Sequence, residues 1–133
     1  MISRTPKFLL TFASALSALG GAVHAAAFRK ALTAIAASNL PRFYGGSSEG
    51  LWLADSATLF ILAAVFGLIA SRPSAATGPL VMLVALIPAA TAVLLYVFLG
   101  NFFAGHLLMG IAALAFGAGM LLPKQGGSEH LIR

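Results

Sequence analysis

Four stretches of this chain, residues 8–28, 51–70, 80–99 and 102–122, are almost wholly apolar and close to the length that crosses a bilayer. At a rise of about 1.5 Å per residue, about 20 residues match a hydrocarbon core about 30 Å thick. In lipid an open segment can satisfy its backbone N–H and C=O groups only within itself, so each stretch must be helical. The expectation is an all-α integral membrane protein, a four-transmembrane-helix bundle forming one domain over residues 1–133. An outer loop would span 29–50, and a polar tail 123–133.

Composition excludes the water-soluble alternative. Of 133 residues, 60% are hydrophobic and 8% charged, whereas a soluble domain needs about 25% charged residues to cover its surface. With no cysteine there is neither a disulfide nor a thiolate metal site nor a cysteine nucleophile. The formal net charge of +5 would suggest nucleic acid in a soluble chain. Here the basic residues flank apolar runs and form no stripe with interleaved aromatics, so the partner they imply is the lipid bilayer and not nucleic acid.

The same basic residues set an orientation. Arg4, Lys7, Arg72, Lys124 and Arg133 fall on one side, and Arg29, Lys30 and Arg42 on the other. This bias places the N- and C-termini in the cytoplasm and the 29–50 loop outside. Residues 30–40 can prolong the first helix or lie in the interface until Asn39-Leu40-Pro41 stops them. Gly45-Gly46-Ser47-Ser48 reads as a flexible turn, with Tyr44 and Trp52 at headgroup level. Only Gly100 and Asn101 separate the third and fourth runs, which makes those helices antiparallel neighbours. Pro88 interrupts the third run, as membrane helices tolerate. Residues 1–25 also read as a secretory signal, with Val23-His24-Ala25 as the cleavage site. Arg29 and Lys30 immediately after it, and the gain to the bundle from a fourth helix, argue for retention.

Ionisable residues at membrane depth are expensive and are candidates for function. His24, Asp55 and His106 lie in the first, second and fourth runs, and Tyr96 ends the third. His24 is about 7 Å along its helix from Arg29, and His106 a similar distance from Asn101; Asp55 and Tyr96 are each about 6 Å from their run ends. All four are thus expected in one layer, about a turn and a half below the outer surface. His24 shares its face with Ser17, Gly20 and Gly21, His106 with Gly110, Ala113 and Gly117, and Tyr96 with Ala85, Ala89 and Ala92. Small residues mark close helix approach, so these side chains are expected to point inward. Ser56, Thr58, Trp52 and Asn101 are near enough to extend the network.

Such a layer admits several readings. The plainest is a structural network fixing helix register. His24, Asp55 and His106 could hold zinc or non-haem iron, or His24 and His106 could be axial ligands of haem b, with Gly20, Gly21, Gly105 and Gly110 leaving room for the porphyrin. No cofactor is the default. The reading favoured among functional ones is a pocket for a hydrophobic small molecule such as a quinone, a sterol-like compound or a lipid headgroup. Asp55 would then orient a histidine, His24 or His106 would act as acid or base, and Tyr96 would hold a polar substituent. Ser56 lacks nucleophile-elbow glycines and reads as a helix hydroxyl. A channel or transporter is disfavoured because no polar residues line the inner half. Glycine faces leave room for a homo-oligomer or a larger membrane complex.

In outline, four short-looped helices in about 130 residues resemble small bacterial inner-membrane proteins, the DoxX-like group among them, and no motif carries a residue or an activity over. The chain is therefore expected to be a multi-pass inner (plasma) membrane protein, an accessory or ligand-binding protein. The alternative is a small intramembrane enzyme or redox subunit using His24, Asp55 and His106.

Overall fold

The computed structural model describes residues 4–122, and the tail expected from 123 lies outside them. The described residues form helices joined by short connections, with no strands: α1 (Arg4–Ala36), α2 (Arg42–Ser71), a short 3₁₀ turn (Pro73–Ala75), α3 (Gly78–Leu99) and α4 (Phe103–Leu121). All four α-helices are long and apolar enough to cross a membrane.

Local chemistry explains the ends of α3 and α4. Thr77 caps α3, its side-chain oxygen accepting from the Leu80 N–H, and Pro79 sits in the first turn, where its missing N–H costs nothing. Gly100 closes α3 at φ 71°, and its N–H donates to the Tyr96 carbonyl. That left-handed geometry suits glycine and lets α4 turn straight back. Pro88 lies buried inside α3 without ending it.

The first two helices are longer than the hydropathy of their cores suggests. α1 has 33 residues and α2 has 30, which gives about 50 Å and about 45 Å against about 33 Å for α3. Only residues 37–41 connect α1 to α2, so the expected 29–50 loop is corrected to a helical hairpin. Gly45-Gly46-Ser47-Ser48 is part of α2 and not a flexible turn. Tertiary packing overrides the weak helix propensity there: Gly45 is buried against the Ile35 side chain, and Ser48 donates to the Tyr44 carbonyl.

The helices pack in the order α2, α1, α4, α3. Ser14 zips α1 to α2 by donating to the Ala63 carbonyl at 2.7 Å, and Leu59 and Phe60 cover Gly21. Leu107 of α4 sits against Gly20 of α1. At the far end, Gly78 and Gly119 bring the backbones of α3 and α4 into contact. The core runs between these seams through Leu10, Ala13, Leu62, Phe66, Val81 and Ile111. Outward, Leu83, Leu86, Val93 and Leu94 of α3 are exposed. An apolar surface of that extent is suited to lipid and not to water.

The Gly20–Leu107 contact also fixes relative height. With α1 and α4 antiparallel, α1 continues roughly ten residues, or about 15 Å, past the α3–α4 turn. The α1–α2 hairpin therefore projects beyond the other two helices. It carries Arg29, Lys30 and Arg42 with exposed Leu40, Phe43 and Tyr44.

Candidate functional site

His24 lies on the α1 face that Ser17, Gly20 and Gly21 bury, four residues beyond Gly20. Asp55 and Ser56 come from the facing turn of α2, where Leu59, Leu62 and Phe66 continue the buried face. His24 Nδ1 is 2.9 Å from Ser56 Oγ, and His24 Nε2 is 3.5 Å from Asp55 Oδ2. Trp52, one turn before Ser56, stacks on the His24 imidazole with ring centroids 4.3 Å apart and planes 15° from parallel. Its indole N–H donates to the His24 backbone carbonyl at 2.9 Å. Ser56 is itself buried and lies 3.1 Å from the Trp52 carbonyl, where its hydroxyl can donate. The His24 and Asp55 side chains are 26% and 36% exposed, so this cluster opens at the surface of the α1–α2 seam.

The second histidine belongs to another seam. The Tyr96 hydroxyl is 2.8 Å from His106 Nδ1, and His106 Nε2 is 2.6 Å from Asn101 Oδ1. A carbonyl oxygen only accepts, so the tautomer that satisfies all three groups carries its proton on Nε2 and accepts from Tyr96 at Nδ1. Gly105 lets this happen: a Cβ there would lie 2.7 Å from the Tyr96 ring. The trio ties the end of α3 to the start of α4 across the Gly100 turn.

The expected single layer is therefore two clusters. His24 and Asp55 meet, Tyr96 and His106 meet, and the α1–α4 seam with Gly20 against Leu107 stands between them. His106 is exposed and does not point into the bundle. Its helix carries small residues all round, and the buried stripe runs through Gly105, Leu108, Ala112, Ala115 and Gly119 instead of Gly110, Ala113 and Gly117. In height, His24 lies about 6 Å beyond the Gly20 level, close to that of Phe103 where α4 begins. Of the residues expected to extend the network, Trp52, Ser56 and Asn101 do so, whereas Thr58 donates to the Ala54 carbonyl of its own helix. Ser14, whose bond to α2 spans the helices, carried no signal in the sequence beyond being a small polar residue.

This placement bears on the cofactor readings. Among the described residues, no three His, Asp or Glu side chains converge as metal donors, so His24, Asp55 and His106 do not form the expected set. Of the four glycines expected to leave room for a porphyrin, only Gly110 has open space beside it. Leu107 and Leu59 occupy the space beside Gly20, Leu59 and Phe60 that beside Gly21, and Tyr96 that beside Gly105. Ser56, buried and tied to the Trp52 carbonyl, is not presented as a nucleophile. A cleft of about 360 Å³ at the hairpin tip, among Ile35, Leu40, Arg42 and Glu49, contains none of the predicted site residues.

No protein-family model, curated protein or solved structure matches the chain.

Proposed function

We propose that this chain is a multi-pass inner (plasma) membrane protein with both termini cytoplasmic, which holds the polar end of an amphipathic molecule at the His24–Asp55 cluster. The observation that carries the reading is a carboxylate, a third exposed, held beside an imidazole at the open mouth of a seam between two apolar helices. A carboxylate in that position is costly unless it has a partner. The imidazole offsets part of that cost, and a bound polar group would offset more. Arg29 and Lys30, a turn or more further along α1, fall at headgroup height in this orientation. The α1–α2 hairpin then stands outside the membrane as the part open to a larger complex.

One observation favours a structural rival. No buried side-chain polar atom among the described residues lacks a partner, as expected of a network that only fixes helix register. Mass spectrometry of the purified protein separates the two. A stoichiometric small molecule or lipid on the parent, absent from His24→Ala and Asp55→Asn at unchanged melting temperature, is the expected result. An identical set of bound species on all three proteins, with only the melting temperature lowered in the variants, would make the cluster structural.

A further inference from the structure

The hydrogen-bond inventory of the α1–α2 seam narrows what it can hold. Every side-chain donor there is already committed. The Trp52 indole N–H goes to the His24 carbonyl, and the Thr58 hydroxyl goes to the Ala54 carbonyl. Ser56 has one hydroxyl proton, to share between His24 Nδ1 and the Trp52 carbonyl. Both imidazole nitrogens already face a partner, Nδ1 the Ser56 hydroxyl and Nε2 the Asp55 carboxylate.

What the seam has to spare is an acceptor. Asp55 uses Oδ2 towards His24, and its second oxygen has no hydrogen-bond or ion-pair partner among the described residues. A carbonyl-headed molecule such as a quinone needs a donor, which the seam cannot supply. A protonated amine brings donors and the charge opposite to the carboxylate, and charge-assisted bonds of this kind are about twice as strong as neutral ones. An apolar tail has a surface to lie on as well, because Phe60 of the same seam is partly exposed.

We infer that the His24–Asp55 cluster selects an amphipathic amine, its ammonium on the free side of the Asp55 carboxylate and its tail along Phe60. This rests on the ligand-binding reading above and replaces the quinone-like headgroup within it by a cationic one.

Trp52 is the sole tryptophan of the chain, and its stacking on His24 makes its fluorescence a local reporter. The full-length protein in phosphatidylcholine nanodiscs is titrated at neutral pH with dodecylamine, dodecanol and a decyl-substituted benzoquinone. The expected result is a saturable change with dodecylamine alone. Its midpoint rises at least about tenfold in Asp55→Asn, about 1.4 kcal/mol, and stays within about threefold of the parent in Asp55→Glu, which keeps the carboxylate. A saturable, Asp55-dependent response to the quinone overturns the amine assignment and leaves the ligand site standing. Responses to all three probes that are the same in parent and Asp55→Asn overturn both. Asp55→Glu also guards against misfolding, since loss of the amine response in a folded Asp55→Glu protein counts against the proposal.

Discussion

Trp52 binds His24 twice, once through its ring and once through its ring nitrogen. The indole lies flat on the imidazole at 4.3 Å, while its N–H reaches the His24 main-chain carbonyl at 2.9 Å. One side chain of α2 thus fixes both the height of α1 and the plane of the histidine ring.

The two contacts separate by mutation. Trp52→Phe keeps an aromatic face and loses the N–H, which should cost about 1 kcal/mol. Trp52→Ala loses both and should cost about 2 to 3 kcal/mol, less than a fully buried tryptophan because Trp52 is half-buried. Thermal unfolding in detergent gives both values. Equal losses would mean that the stacking contributes nothing.

At the opposite end, Gly78 and Gly119 should not accept a side chain. A Cβ on Gly78 would overlap the Gly119 carbonyl oxygen, and one on Gly119 would lie 2.7 Å from Met82 Cγ and 2.9 Å from the Gly78 carbonyl oxygen. Backbone cannot rotate away as a side-chain tip can, so Gly78→Ala is expected to cost at least the about 1 to 3 kcal/mol usual for overpacking. Gly110 meets nothing within 4 Å, and Gly110→Ala should leave the melting temperature unchanged or raise it. Similar behaviour of the two variants would refute this packing of α3 on α4.

The hairpin makes the reverse prediction for glycine. Gly46 and Gly50 lie inside α2 with open space around the missing Cβ. Alanine at either position should stabilise by about 0.5 to 1 kcal/mol through helix propensity. A flexible linker would show no gain, and circular dichroism melts of the double variant decide between the two.

Tyr96→Phe removes one of the two ties on His106 while leaving the ring over Gly105 in place. The expected loss is about 1 kcal/mol, with no change in amine titration of Trp52, because the two clusters lie in different seams. A shifted titration midpoint in this variant would show that the clusters act as one.

Orientation is checked through the absence of cysteine, which leaves an engineered thiol without competitors. Gly46→Cys should react with a membrane-impermeant maleimide in intact cells, and Ser74→Cys only after permeabilisation. The opposite pattern would invert the topology and place the His24 cluster at the cytoplasmic face.

Much of this molecule is determined by short-range chemistry and was legible in the sequence. Apolar length and the cost of an unpaired backbone in lipid demand four helices, Asn39-Leu40-Pro41 ends the first, and Gly100-Asn101 folds α4 back on α3. Those effects act within a few residues of where they are written. Tertiary structure alone decided how the polar side chains are shared out. His24 found Asp55 because their helices are adjacent and Ser17, Gly20 and Gly21 narrow one face of α1. His106 turned to Tyr96, because in a helix with alanine and glycine on every side the small residues no longer mark the buried face. The length of the projecting hairpin was likewise decided by contact, since α1 continues far enough for Ile35 to pack against Gly45 inside α2.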